Sequence, residues 1–287
     1  MKDKIAAYER NLDDLALDED VRIELRGFAQ RNYWRMEVLA SKAYEGENPD
    51  FPICRLMPLS RLAVLVWKLT EIRQHYLKLG VSEEIYRDTI GDIALRQRLY
   101  YTKTGKIGLS KGDCNWLRHL SYGDIFKLGV LQFQPFEVIY LDEIWGKKPG
   151  FRYREELKSR LPAGSPVVNV HIQKGTDLEV GKVKESFALA KDFFKEVFPD
   201  KAFKAFVCYS WLLYPGLREI LPAHSRILAF ADFFEILGVS KNREQAVERI
   251  FDKRFRAKAD HPQNTSLQRA ALARMDCLGY AIGLIWW

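Results

Sequence analysis

Five histidines, at 75, 119, 171, 224 and 261, are the side chains best suited to carry a proton near neutral pH. They are isolated from one another in the sequence, which gives no support for a metal site. His171 has the most telling surroundings. Val167 to Ile172 alternates, placing Val168, Val170 and Ile172 on one face of a strand and Val167, Asn169 and His171 on the other. The loop Gln173-Lys174-Gly175-Thr176 follows at once, and such a strand end is where an α/β sheet usually meets its ligand. A neutral imidazole there can act as a general base. The same position also suits a histidine that merely hydrogen-bonds neighbouring backbone.

The loop leads into a helix with Val183, Phe187, Ala190 and Phe194 on one side. Amide groups at its start can receive a phosphate, with Gln173, Lys174 and Gly175 before it and Lys182 and Lys184 in its first turns. Lysines beside a helix start are equally at home in solvent. A second strand, Phe203 to Leu213, ends at Tyr214, which can donate a proton to a leaving group or close the sheet edge. Ser210-Trp211 in that strand reads as core packing with a satisfied hydroxyl more readily than as a nucleophile. The phosphate loop of nucleotide-binding proteins, the Gly-rich dinucleotide turn, the serine elbow and the His-Glu-x-x-His helix are all missing.

These groups need elements to position them. Ile5, Tyr8, Leu12 and Leu15 fit one helix, and Asp18-Glu19-Asp20 supplies a cap for the next, whose stripe is Val21, Leu25, Phe28 and Asn32. Arg31-Asn32-Tyr33-Trp34-Arg35 reads as one helix with an aromatic inner side. Residues 45–52 form a loop, Pro58 opens a third helix that Gly80 ends, and Ser82 caps a fourth that breaks at Thr104-Gly105-Lys106. Near residue 123 the character changes. Phe126 to Phe136 is β-prone and extends through Tyr140 and beyond, and Ile227 to Leu237 reads as a further strand. Helices around Val247 and from Ser266 to Leu278 follow, and Gly279 to Trp287 can close the sheet. Strands separated by helices imply an α/β layer structure with some parallel pairing. The expectation is a helical domain over 1–122 and an α/β domain over 123–287.

Composition agrees with a globular chain: of 287 residues, 47% are hydrophobic and 29% charged. The net charge of +7 is spread among 38 acidic residues without a basic block, so nucleic acid is not an expected partner. A diffuse positive excess can still attract a polyphosphate. Four cysteines form no Cys-x-x-Cys pair and imply neither disulfides nor zinc. Apolar runs are too short to span a bilayer and the N-terminus has no signal-peptide core, so the expected location is the cytoplasm, without membrane attachment.

Several segments, in order, resemble a bacterial acyltransferase family that joins a helical N-acyltransferase N-terminal domain to a GNAT-like C-terminal domain. They are Tyr86-Arg87-Asp88-Thr89-Ile90-Gly91-Asp92-Ile93, Phe126 to Phe133, Val168 to Ile172, Ser210 to Leu213, Leu221-Pro222 and Asn264 to Ala270. The resemblance implies a twisted mixed sheet whose fourth and fifth strands, here Val167 to Ile172 and Phe203 to Leu213, splay apart around acetyl-CoA or another acyl-CoA. Its pyrophosphate would rest on the following helix. The usual pyrophosphate loop, [RQ]-x-x-G-x-[GA], is not reproduced: Gln173 is followed three residues later by Thr176, and Asp177 and Glu179 are acidic. Ser225-Arg226 also stands where similar members carry Ser-Asn.

Two readings follow. In one, the protein moves an acyl group from acyl-CoA to an amine, with His171 as base, Tyr214 as acid, and Gln173, Lys174, Gly175, Lys182 and Lys184 around the phosphates. In the other, it is a non-catalytic module that keeps the GNAT scaffold to bind a small ligand or a protein.

Overall fold

The computed structural model describes residues 2–140, 150–252 and 261–287. The chain divides into two compact units, residues 1–127 and 128–287.

The first unit is helical: α1 (Lys2–Asp13), α2 (Glu19–Arg31), α3 (Tyr33–Ser41), α4 (Pro58–Lys78), α5 (Glu83–Thr104) and α6 (Lys111–Tyr122). The central element is α4, touched by α1, α2, α3, α5 and α6. It buries Leu62 to Val66 without interruption, then Leu69, Ile72 and Tyr76. Even Arg61 is buried, its guanidinium donating to the carbonyls of Leu109 and Cys54. Pro58 opens α4 and Ser82 caps α5, as the sequence leads one to expect. Gly105 closes α5 in the left-handed region, where glycine is unstrained.

Three details differ from the sequence reading. Asp18 occupies the cap position of α2 but makes no side-chain capping bond. The stretch from Arg31 to Arg35 is not one helix: the Asn32 side chain donates to the Phe28 carbonyl, α2 stops, and α3 leaves Trp34 82% exposed. Helix α6 also lacked any helical assignment from the sequence. It starts from a capping box in which Ser110 and Asp113 exchange hydrogen bonds.

The second unit is built on a seven-stranded mixed sheet. Its strands are β1 (Phe126–Leu128), which carries the boundary between the units, β2 (Leu131–Glu137), β3 (Arg152–Tyr153), β4 (Pro166–His171), β5 (Ala205–Ser210), β6 (Glu235–Ser240) and β7 (Tyr280–Trp286). The spatial order is β1-β2-β4-β5-β7-β6-β3. Only the β4–β5 ladder among the registered pairs is parallel. Among the described residues the unit also has helices α7 (Glu155–Arg160), α8 (Val180–Val197), α9 (Arg226–Ala231), α10 (Glu244–Phe251) and α11 (Ser266–Ala273).

One face of the sheet meets α8, whose Phe187 packs edge-on against Phe133 of β2 and Phe206 of β5. The other face carries a second cluster, with Val167, Val207 and Leu284 from the sheet and Leu157 from α7.

The strand expected over Ile227 to Leu237 is instead a helix followed by a strand. The Ser225 hydroxyl accepts from the Ile227 amide and starts α9, leaving only Glu235 onward for β6. The strand expected over Phe203 to Leu213 is also shorter. Ser210 accepts from the Leu212 amide through its hydroxyl and turns the chain into a 3-10 segment at Trp211–Leu213. Any extension of strand beyond Tyr140 lies outside the described residues, which resume at Gly150.

Candidate active site

Strand β4 is registered with β2 along its whole length, up to Gln132 opposite His171. Strand β5 is likewise registered with β7 from Ala205 to Ser210. Between them the parallel ladder pairs only Val168 with Phe206 and Asn169 with Val207. The sheet therefore parts at one place, between Val170-His171 and Cys208 to Ser210. Backbone amides and carbonyls that face such a gap need partners, and an extended ligand carrying its own amides can supply them.

Pleating puts Asn169 and His171 on the same face as their opposite numbers Gln134 and Gln132. Four polar side chains thus stand together at the mouth of the gap, above a cluster that is otherwise apolar. Gln132 is 1% exposed, Gln134 6% and Asn169 7%. The His171 imidazole lies with Nε2 3.0 Å from Gln134 Oε1. With Nε2 as the donor, the amide oxygen holds the tautomer whose Nδ1 carries the lone pair. The Gln132 amide nitrogen is buried and makes no hydrogen bond, a rare condition that invites an acceptor. Sequence reading found His171 and missed these glutamines. Their signal was the alternation Gln132-Phe133-Gln134, which becomes legible only once β2 is known to lie beside β4.

The loop after His171 turns tightly. Thr176 donates to the Gln173 carbonyl through both its amide, at 3.2 Å, and its hydroxyl, at 2.8 Å. Gly175 sits at φ +84°, a conformation that side chains resist. Gln173 is buried, whereas Lys174 and Gly175 are exposed.

The cationic groups expected to meet phosphate are already engaged, with one exception. Lys174 pairs with Asp252 at 2.7 Å. Lys182 pairs with Asp177 at 2.7 Å, and Arg226 reaches the same carboxylate at 2.5 Å. The Lys182 hydrogen bond holds the Asp177 carboxyl below the usual carboxylate range, and the reverse effect raises Lys182. Glu179 caps α8, accepting from the Gly181 amide at 2.9 Å and the Lys182 amide at 3.1 Å. Those two bonds lower its own carboxyl. A carboxylate thus occupies the helix start that suits a phosphate. Lys184 is exposed on α8 and has no ion pair among the described residues.

Tyr214 follows β5. Its ring is clamped between Gly216 and Gly279, where an added Cβ would lie 2.8 Å and 2.4 Å from it. It also lines a cavity of about 130 Å³ with Arg218, Leu228, Asp232 and Phe234. His171 and the 173–175 loop are not among the residues around that cavity. His171 is thus the last residue of β4 and Tyr214 lies beyond the end of β5, each held by its own neighbours. Ser210, with its hydroxyl spent on Leu212, is not placed as a nucleophile. Among the described residues no group of His, Cys, Asp and Glu is placed to hold a metal ion.

A mixed sheet whose two parallel neighbours part at their C-terminal ends, with a helix leading back between them, is the architecture of the GNAT class. The sequence profile of the GNAT-like C-terminal domain matches residues 125–280, and that of the N-acyltransferase N-terminal domain matches residues 1–123. The chain belongs to the family these domains define. Similar solved structures include an acyltransferase variant in complex with octanoyl-CoA, 19% identical, with a TM-score of 0.71, covering 96% of this chain and 86% of the other. An acyltransferase in complex with decanoyl-CoA and teicoplanin is 20% identical, with a TM-score of 0.65 and coverages of 94% and 81%. Another in complex with decanoyl-CoA is 20% identical, with a TM-score of 0.70 and coverages of 96% and 85%. At these identities the likeness concerns the fold. No curated protein sequence matches the chain. Among the described residues no helix is long and apolar enough to cross a membrane.

Proposed function

We propose that the protein transfers an acyl group from acyl-CoA to an amine. The observation that carries this reading is the parted β4–β5 pair with a buried polar row at its mouth. The extended arm of acyl-CoA is itself a chain of amides and can complete the strand edges in the gap. His171, held by Gln134, takes a proton from the acceptor amine as its nitrogen attacks the thioester carbonyl. The C–N bond forms, the C–S bond breaks, and Tyr214 returns a proton to the departing thiolate. Gln173, Lys174, Gly175, Lys182 and Lys184 surround the phosphates. For that, the pairs Lys174–Asp252 and Lys182–Asp177 must open and Glu179 must leave the α8 amides. Exposed pairs contribute little and yield readily to a polyphosphate.

The division into a helical domain over 1–122 and an α/β domain over 123–287 belongs to this reading, and the two profile matches support it. So does a cytoplasmic location, where acyl-CoA is available. Relatives of this fold hold octanoyl-CoA, decanoyl-CoA and teicoplanin, so medium-chain donors and teicoplanin belong in a first screen.

A second reading, a scaffold that binds a ligand or protein without turnover, is favoured by the acidic groups at the start of α8. Calorimetric titration with acetyl-CoA, octanoyl-CoA, decanoyl-CoA and CoA separates the two. Micromolar binding, roughly −8 kcal/mol, supports the enzyme. Absence of heat with all four refutes it. His171→Ala then abolishes transfer while leaving the thermal transition in place; an unchanged rate removes His171 from the mechanism.

A further inference from the structure

Helix α3 buries Met36 and Ala40 and turns its opposite side to solvent. On that side Trp34 is 82% exposed and Val38 56%. They stand one helical turn apart, so their side chains are neighbours. Arg35 lies three residues before Val38 and Lys42 four residues after it, and both are exposed. That spacing sets the two cations beside Val38. Neither has an ion-pair partner among the described residues. Arg31, just before α3, is exposed as well and reaches Glu24 only at 3.8 Å. The one acidic residue of α3, Glu37, is paired with Lys4. The face therefore joins two exposed apolar side chains to three cations, two of them unpaired.

We infer that this face of α3 docks on an anionic lipid surface. Trp34 and Val38 enter the headgroup layer, and Arg31, Arg35 and Lys42 lie against its phosphates. Holding an indole in water is unfavourable, and its amphipathic ring is at home at headgroup level. Two apolar side chains are few for a stable protein partner, which covers about 800 Å² on each side. A lipid surface needs less, because cations beside the inserted groups add their own attraction. The charge of the face selects an anionic surface over a neutral one. The net charge of +7 draws the protein toward it from a distance. The sequence carries no run that spans a bilayer, and the contact inferred is with the surface of one.

The probes are vesicles of phosphatidylcholine alone and of phosphatidylcholine mixed with phosphatidylglycerol, sedimented with the full chain. The mixed vesicles are expected to carry the protein down and the neutral ones to leave it in solution. Salt of about 1 M, where the Debye length falls to about 3 Å, releases it. Arg35→Glu combined with Lys42→Glu weakens binding at least tenfold, since each cation near such a surface contributes about fivefold. Trp34→Ala weakens it severalfold without any change of charge, which separates insertion at this face from attraction by the net charge. All three residues are exposed, so the thermal transitions of the variants should match that of the parent. No sedimentation with the mixed vesicles, equal sedimentation with the neutral ones, or binding unchanged in Trp34→Ala overturns the assignment. A dimer in solution that Trp34→Ala dissociates gives the face to a second copy of the chain and overturns it equally.

Discussion

Replacing Gln134 tests the site where its geometry is sharpest. The amide oxygen lies 3.0 Å from His171 Nε2, and Gln134 is 6% exposed. Gln134→Glu keeps the shape and puts a carboxylate at that distance. At an effective dielectric of about 20, the attraction to an imidazolium is on the order of 5 kcal/mol. Burying the carboxylate offsets much of this, leaving about 1–3 kcal/mol, or one to two pH units at about 1.4 kcal/mol each. The sign is fixed: an anionic partner favours the protonated ring and raises the pH at which His171 loses its proton. A base must be neutral, so the acidic limb of the rate profile moves up by the same interval. Activity falls near pH 7 and returns at higher pH.

Gln134→Leu removes the acceptor without adding charge. Loss of one partly buried hydrogen bond costs about 1–3 kcal/mol, a rate loss of about tenfold to a hundredfold. That loss persists at every pH, because the tautomer is no longer held. Histidine ring signals in NMR, five in the chain, give the titration of His171 without any knowledge of the acceptor. Thiol release from octanoyl-CoA gives the rate. If His171 titrates at the same pH in the parent, the Glu variant and the Leu variant, Gln134 does not hold the ring, and the assignment of roles in β2 and β4 fails.

Tyr214→Phe is expected to lower turnover about tenfold to a thousandfold with little effect on acyl-CoA affinity; equal rates would remove the acid role. Gly279→Ala forces a Cβ to 2.4 Å from the Tyr214 ring and should destabilise the fold by about 1–3 kcal/mol, read from chemical denaturation. Glu179→Gln removes the charge at the α8 amides and should tighten acyl-CoA severalfold, whereas weaker binding would show that the carboxylate aids the cofactor. Glu179 and Asp177 both have carboxyls lowered in the folded state. Their contribution to stability is therefore present above the ordinary carboxylate range, about pH 4, and is lost as pH falls through the lowered values. Hydrogen exchange at the start of α8 should accelerate over that acid interval, and in Glu179→Gln the acceleration should shrink.

The sequence displayed elements whose pattern is local. Alternation in Val167 to Ile172 and helical spacing in Val183 to Phe194 became β4 and α8 almost unchanged. Elements decided by one side-chain hydrogen bond were less visible. Asn32 ends α2, Ser210 ends β5 and Ser225 starts α9, each by bonding a nearby backbone group. Apolar content alone reads the same before and after such a residue, which is why Ile227 to Leu237 looked like one strand. The site followed the same rule. The loop and its lysines are contiguous with His171 and were found together, but Gln134 reaches His171 only through a strand pairing 37 residues apart. Likewise Asp252, which occupies Lys174, is 78 residues away.

The balance between the enzyme and scaffold readings turns on which features are built in and which are easily undone. At the start of α8 the opposing features are carboxylates on exposed side chains, Asp177 37% and Asp252 61% exposed, facing lysines about half exposed. Water solvates either partner well when such a pair opens. At the mouth of the gap two glutamines and an asparagine are buried, on one face with the half-buried imidazole, and the Gln132 amide is unpaired. Desolvating a row of amides is costly, and a sheet with nothing bound in the gap gains nothing from it. An apolar filling, continuing the cluster of Val167 and Val207 upward, would stabilise an idle sheet better. The polar row therefore favours a ligand with hydrogen-bonding groups between β4 and β5 in either reading, and the acyl-transfer reading further requires that the exposed carboxylates at the start of α8 give way to phosphates.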